Sequence, residues 1–264
     1  MNDPAWPHWS PRVTIGFHAV FATGAYDIVN ERSETTIVAA CIIALILGDA
    51  SSASDVGRFS TGTAGRLPIG WHMQTFRHRT PTRYCLVQDG GRVVLAATSH
   101  DSASALIADV DADYTRTPWI EWSWKIDHVI ATARWGRKST DDFPARVFVI
   151  FADVRRQSLF ESLSTAGQAR ALNYVWANDA VADPMAVSPY SGDVVMIAAE
   201  QGPSKAGTWI TERRNIVDDF RRAFRRMPPP VRAVAVMTDT DNSHTSERTL
   251  YGDIRFAADR DIRQ

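Results

Sequence analysis

Oxygen-bearing side chains are concentrated near the end of the chain, directly after the apolar run Val231–Met237. The residues that follow this run include Asp239, Asp241 and Asn242, and Asp253 comes shortly afterwards. Calcium takes about six to eight oxygen ligands, which carboxylates and amides supply. These four residues therefore predict a calcium site. The alternative is an Asx-rich turn, in which the same side chains bind only nearby backbone N–H groups.

A second group of charged residues stands just before another apolar run. Asp141 and Asp142 precede Arg146, and Glu212 ends a separate strand-like run. A carboxylate and a guanidinium in one loop can hold a substrate, or they can form a structural salt bridge. The four residues are the candidate catalytic set. Cleavage of a glycosidic bond needs two carboxylates about 5–10 Å apart across a cleft, and spacing in sequence does not show this. Whether the protein is an enzyme stays open.

Tryptophan is abundant, with nine residues in 264. Its ring serves both in large cores and as a platform for ligands. Trp135 lies in a polar loop, and Trp176 and Trp209 lie in strand-like runs. We predict that these three residues and Arg146 contact a ligand. The alternative for the tryptophans is burial in the core.

Strand patterns dominate the elements that must position these residues. In the run 119–126, apolar and polar residues alternate, which predicts a half-buried strand with Trp122 and Trp124 facing inward. The run 146–151 is apolar on both faces and predicts a central strand. The sequence Asp89-Gly90-Gly91 predicts a hairpin turn. Further strands are predicted at 171–176, 194–198, 208–212, 231–237 and 251–256, and a short turn is predicted at 102–106.

Helical patterns are sparse. The clearest covers 215–226, where Asn215 can cap the first turn and the prolines at 228–230 end the helix. Many short strands with one or two short helices predict an all-β fold with minor α content. We expect an antiparallel two-sheet β-sandwich of jelly-roll type.

The first 53 residues differ in composition from the rest. Residues 1–28 are proline-rich and without pattern, so we interpret them as an upstream extension or a leader. Residues 29–53 contain the uncharged apolar run 37–47 followed by small residues, which is typical of a signal peptide. A membrane span needs about 20 apolar residues, so no stable span is expected in the mature chain. The alternative for 37–47 is a buried helix. Residues 54–264 are predicted to form one domain, periplasmic or secreted.

Composition excludes few classes of partner. Hydrophobic residues make up 45% of the chain and charged residues 22%, which is ordinary for a globular protein. The formal net charge of −1 gives no reason to expect a nucleic-acid partner. Cys85 is the one cysteine after residue 53, so the predicted mature domain forms no internal disulfide. Oligomeric state is not determined by these features.

Several segments together resemble a known family. They include Pro-Trp-Ile-Glu-Trp-Ser-Trp-Lys at 118–125 and Thr-Asp-Thr-Asp-Asn at 238–242. The others lie at 67–71, 82–84, 94–96, 102–104, 141–146, 172–176, 209–219 and 251–254. The series resembles a bacterial, typically exported family known only as domain-of-unknown-function family 3047. The resemblance implies one exported domain beginning near Phe59, and it assigns no activity or catalytic residues.

The leading functional hypothesis is a sandwich that binds a carbohydrate or a cell-envelope glycan without cleaving it. It depends on the predicted fold class, on export and on the aromatic content. A glycan-active hydrolase or lyase that uses the carboxylates is the first alternative. A structural envelope protein without a ligand is the second.

Overall fold

The computed structural model describes residues 54–153, 167–179 and 184–259. All of them belong to one compact unit, Ala50–Gln264. The predicted extension at 1–28 and the signal-peptide-like segment at 29–53 lie outside the described residues. Two β-sheets account for most of the described chain.

The first sheet contains seven strands, and six of them form one ordered path. That path is β1 (Ser54–Gly57), β14 (Ile254–Ala257), β6 (Trp119–Ile126), β13 (Ser246–Tyr251), β4 (Arg92–His100) and β3 (Arg83–Asp89). The seventh strand, β11 (Ile210–Asn215), pairs with β6. Short 3-10 turns lie at Phe59–Thr61 and Lys138–Thr140.

The second sheet also has seven strands. Their order is β2 (Trp71–Thr75), β5 (Ser104–Ala112), β12 (Val231–Met237), β7 (Arg146–Phe151), β8 (Arg170–Ala177), β10 (Val194–Gln201) and β9 (Met185–Val187). Successive strands from β4 to β7 cross from one sheet to the other, which is the connectivity of a jelly roll. The predicted two-sheet sandwich is confirmed.

Pairing is antiparallel throughout the described sheets except between β8 and β10, which run parallel. The short strand β9 pairs antiparallel with the outer edge of β10. Because β9 reverses the chain before β10 begins, β10 runs in the same direction as β8. The expectation of wholly antiparallel sheets is therefore wrong at this edge.

The space between the sheets is filled by the residues that the alternating pattern selected. Ile120, Trp122, Trp124 and Ile126 are all buried. Trp122 packs on Tyr174 with ring centroids 5.1 Å apart. All six residues of β7 are buried, as expected for a central strand.

Two local predictions near the site are wrong. Residues 251–256 form parts of two strands, because Gly252 and Asp253 interrupt them. Gly252 lies so close to β6 that a Cβ at this position would be 2.1 Å from Oγ of Ser123. The turn expected at 102–106 is instead the start of β5, which pairs on both sides with β2 and β12. Pairing with two neighbours outweighs the weak local preference of its small residues.

The hairpin and the helix are confirmed. Gly90 and Gly91 join β3 to β4 with φ of 55° and 85°, values that favour glycine. The helix α1 (Ile216–Phe224) begins after Asn215, whose side chain accepts from two backbone N–H groups of the first turn. It ends at Arg225, before the prolines. No helix in the described part of the chain is long and apolar enough to cross a membrane.

Candidate functional site

A buried ion pair joins two neighbouring strands at one end of the second sheet. Arg146 begins β7, and Asp239 follows the end of β12, its antiparallel neighbour. Nε of Arg146 donates to Oδ1 of Asp239 at 2.8 Å, and Nη2 donates to Oδ2 at 2.6 Å. Nη2 also contacts the carboxylate of Asp141 at 3.2 Å. Of the predicted catalytic residues, Asp141 and Arg146 are therefore in direct contact, and Arg146 also binds Asp239, which was predicted as a metal ligand.

Burial and neighbouring charges act against each other on the pKa values in this group. Burial raises the pKa of Asp239 to about 7, although the guanidinium of Arg146 acts in the opposite direction. Burial likewise raises the pKa of Asp141. Burial also acts to lower the pKa of Arg146, but the carboxylates of Asp239, Asp141 and Asp142 together outweigh this and raise it. The guanidinium therefore keeps its charge, and the two carboxyl groups compete for it.

The acidic loop after β12 is held by a second buried carboxylate. Oδ2 of Asp142 accepts from the backbone N–H groups of Asn242 at 3.1 Å and Ser243 at 2.6 Å. Asp241 pairs with Arg79 at 3.0 Å. One carboxylate oxygen each from Asp142, Asp239 and Asp241 lies within 4.8 Å of the others. The backbone of this loop is therefore bound by Asp142 from a distant segment, which differs from the local Asx-type bonding of the alternative. The buried triad could hold a metal ion.

A cleft of about 450 Å³ opens beside this group. Its polar lining includes Asp141, Arg146 and Asn173, and its aromatic lining includes Phe148 and Tyr190. Ligand cavities are typically about 300–1,000 Å³, so the volume suits a small molecule or one to two units of a polymer. Further lining residues are Gln74, Phe76, Arg77, Arg79, Ser188, Ser191, Val194, Asp239, Asp241 and Asn242.

Two buried oxygens at the cleft have no hydrogen-bond partner among the described residues. They are Oδ1 of Asp141 and Oδ1 of Asn173, whose residues are 3% and 2% exposed. Asn173 lies opposite Phe148 of β7 and Met196 of β10, so its amide interrupts an apolar surface. Leaving such a group unpaired costs about 1–3 kcal/mol. The cleft therefore has acceptors that a bound molecule could satisfy.

The structure does not bring Asp253 to the acidic loop. Its carboxylate accepts from the backbone N–H of Ser60 at 2.8 Å and from the Ser60 hydroxyl at 2.5 Å. It lines a separate cavity of about 330 Å³ together with Arg58, Arg92 and Glu121. Gly252 and Asp253 form the break between β13 and β14. Because both strands belong to the first sheet, the side chain of Asp253 lies beside that sheet. The expected approach of Asp253 to Asp239 is wrong.

None of the three tryptophans predicted to contact a ligand lines the cleft. Trp176 is fully buried, and its Nε1 donates to the carbonyl of Gly202 at 2.9 Å. Trp135 is half-buried with its ring edge against Phe143. Trp209 lies under the guanidinium of Arg92, 4.0 Å from it.

The aromatic residue at the cleft mouth was not predicted. Tyr190 is 51% exposed, and its hydroxyl donates to the carbonyl of Lys138 at 3.1 Å. It lies just after a stretch without recognisable pattern, so no sequence signal selected it. Asn173 was also missed, although a lone amide within the apolar run 171–175 is a signal that could have found it.

Glu212, the remaining candidate catalytic residue, is not among the residues that line the cleft. It lies opposite Trp122 in the pairing of β11 with β6. Its Oε1 is buried without a hydrogen-bond partner among the described residues. Burial, reinforced by the charge of Glu200, raises the pKa of Glu212 to about 7. Glu212 is therefore an acid on strand β11 with a buried carboxyl oxygen.

Glu212→Gln is expected to change how stability depends on pH. The pKa of Glu212 is above the usual value of about 4.3, so the folded state binds the proton more tightly than the unfolded state. This contribution is complete below about pH 4.3 and is lost as the pH rises towards about 7. Urea unfolding across this range should show wild-type stability falling relative to the variant. Parallel curves for the two proteins would contradict the assignment.

The fold and the cleft define a β-sandwich protein with a polar, partly aromatic site at one end of a sheet. The chain belongs to the family described as protein of unknown function DUF3047, whose model matches residues 69–255. This confirms the resemblance found in the sequence. No curated protein matches the chain significantly.

Solved structures with a similar arrangement include carbohydrate-binding and carbohydrate-active domains, together with an adhesin domain and a cyclase. A family 30 carbohydrate-binding module from Clostridium thermocellum is 10% identical, covering 79% of this chain and 99% of its own, with a TM-score of 0.39. The carbohydrate recognition domain of Emp47p is 11% identical (80% and 98% covered, TM-score 0.40). The xyloglucanase domain of NopAA from Sinorhizobium fredii is 9% identical (78% and 98% covered, TM-score 0.39). At these TM-scores the likenesses carry no argument about what this chain binds.

Proposed function

We propose that the cleft binds a carbohydrate, such as a glycan of the cell envelope. The observation that supports this most directly is the pair of unpartnered buried oxygens, on Asp141 and Asn173. Sugar hydroxyl groups donate and accept hydrogen bonds, so neighbouring hydroxyls of one ring could satisfy both oxygens. A site with buried acceptors selects strongly for a ligand that carries matching donors.

Aromatic rings supply the apolar part of the proposed site. Phe76, Phe148 and Tyr190 line the cleft around the polar groups. The C–H faces of a sugar ring are apolar and pack on aromatic rings, while its hydroxyls point outward in the ring plane. Tyr190 is positioned for this contact, because its hydroxyl bond to Lys138 holds a half-exposed ring at the mouth.

Binding is favoured over cleavage by the state of the carboxylates. One carboxylate oxygen each from Asp142, Asp239 and Asp241 lies within 4.8 Å of the others, so the three acids form one buried cluster. Asp239 is also engaged in both hydrogen bonds of the Arg146 pair. A carboxylate held in this way is a poor nucleophile or base.

Calcium is the metal that we propose for the triad of Asp142, Asp239 and Asp241. All three offer carboxylate oxygens, which hard cations prefer. With Asp141 there are four carboxyl groups facing the guanidinium groups of Arg79 and Arg146, so a divalent cation would offset the excess negative charge. Calcium would have to share oxygens that already accept hydrogen bonds. Glycan binding should therefore be compared in calcium and in EDTA.

A glycan array followed by calorimetry with the best ligand tests the proposed function. Asn173→Leu should weaken binding about ten-fold or more, because it removes a buried hydrogen-bonding group while keeping the volume. Tyr190→Ala should weaken it to a similar degree through loss of the ring. Tyr114→Ala is the matched control, since the hydroxyl of Tyr114 also donates to a backbone carbonyl. Tyr114 follows the far end of β5, away from the cleft.

The proposal would be contradicted if no glycan bound in either calcium or EDTA. It would also be contradicted if a bound glycan lost no affinity in the Asn173 and Tyr190 variants. We propose a periplasmic or secreted location, which the signal-peptide-like segment supports. N-terminal sequencing of the mature protein tests it, and an intact residue 1 would refute it.

A further inference from the structure

A compact group of arginines lies at the end of α1. The basic patch consists of Arg221, Arg222, Arg225 and Arg226, with Met227 beside them. All four arginines are exposed, and Met227 is 58% exposed. Arg221 and Arg222 lie in the last turn of the helix, and Arg225 and Arg226 follow directly at its end.

The basic patch is not neutralised by ion pairs within the described part of the chain. No ion pair joins any of its four arginines to a described acidic residue. Arg214, near the start of the same helix, pairs with Asp219 at 2.7 Å. The two acids Asp218 and Asp219 lie in the first turn, two to four positions before Arg221 and Arg222, and neither forms an ion pair with the patch. Four like charges this close repel one another, so an external anion would stabilise them.

The patch lies at the opposite end of the sandwich from the cleft. Phe220 of the helix packs on Phe151, the last residue of β7, with ring centroids 4.6 Å apart. Arg146, which lines the cleft, is the first residue of the same strand. A strand of this length spans roughly 20 Å. The patch is therefore independent of the cleft, and an inference from it does not depend on glycan binding.

We propose that the basic patch docks the protein on a bilayer surface that contains anionic phospholipids. None of its residues lines either of the two cavities described above. A layer of lipid headgroups presents many phosphates in one plane, which matches several exposed arginines grouped at one helix end. Met227 adds an exposed apolar side chain that can enter the boundary between headgroups and acyl chains.

Docking in this orientation would turn the cleft away from the bilayer. Because β7 runs between the two sites, its Phe151 end would face the lipid and its Arg146 end would face the surrounding space. A ligand of the cleft would then be reached on the side remote from the membrane. The attraction is electrostatic, so it should weaken as salt rises and the screening length falls to about 10 Å at 0.1 M.

Cosedimentation of the full chain with vesicles tests the proposal. Vesicles of phosphatidylcholine alone are compared with vesicles that also contain phosphatidylglycerol, at low and at higher salt. The triple variant R221Q/R222Q/R226Q should lower the partition coefficient on anionic vesicles roughly 100-fold, since each arginine near such a surface contributes about a factor of five. Arg225 is left in place because its φ of 55° ends the helix.

The control is R66Q/R83Q/R137Q, which removes the same charge from three other exposed arginines. Melting curves of both triple variants should match the wild type, because all six side chains are exposed. Retained binding in the control together with loss in the patch variant supports the proposal. Equal loss in both variants, absence of wild-type binding to anionic vesicles, or binding to a soluble anionic polysaccharide but not to vesicles would overturn it.

Discussion

Arg146→Met is expected to lower the free energy of unfolding by about 3–5 kcal/mol. The substitution keeps most of the side-chain volume but removes the guanidinium, which is 4% exposed. Asp239 would lose both of its hydrogen bonds to this group, and Asp141 would lose its contact. Two buried carboxyl groups would then have no counter-charge from β7. Such groups must bind protons or admit water, and either change opposes folding.

Urea unfolding at neutral pH measures this effect. Arg213→Met is the matched control, because Arg213 also pairs with a carboxylate, Glu121 at 2.8 Å, but is about a quarter exposed. Its loss should cost about 1 kcal/mol or less. The double variant Arg146→Met/Asp239→Leu should recover part of the stability, since only one buried carboxyl group, that of Asp141, is then left without its partner. If Arg146→Met cost no more than Arg213→Met, the pair would not be the centre of this end of the sandwich.

Trp176→Ala is expected to cost about 3–5 kcal/mol of stability. The indole is fully buried, and its ring centroid lies 5.8 Å from that of Trp124. Removing it leaves a large cavity between the sheets and leaves the carbonyl of Gly202 without its indole donor. The sequence pattern predicted Trp176 as a ligand contact, so the result distinguishes a core role from a binding role. Thermal and urea unfolding give the value.

Trp135→Ala serves as the comparison, because Trp135 is half-buried at the edge of a small cluster with Phe143. Its loss should cost clearly less than the loss of Trp176. If Trp176→Ala prevents folding, Trp176→Phe keeps most of the volume and should cost about 1–3 kcal/mol. A Trp176 variant with unchanged stability but weakened glycan binding would show that the indole reaches the ligand after all.

The sequence alone was sufficient for the architecture of the central strands. Alternation in 119–126 selected the inward face of β6, and the unbroken apolar run 146–151 identified β7 as a strand covered on both sides. The two glycines of the β3–β4 turn and the cap at Asn215 were readable because they depend on local backbone geometry. All of these features are visible within a few neighbouring residues. In the strands, the burial of one or both faces fixes which positions are apolar. Fold class followed from them.

The composition of the site was decided by the tertiary structure. Asp239 and Arg146 are 93 positions apart in sequence, and only the antiparallel pairing of β12 with β7 places them together. Asp253 was separated from the acidic loop by a break that depends on contact between Gly252 and Ser123. Asn173 lies in the cleft because β8 pairs with both β7 and β10, which place Phe148 and Met196 on either side of it. Side-chain chemistry is written in the sequence, but which groups meet depends on strand order and register, and these are set by packing across the whole domain.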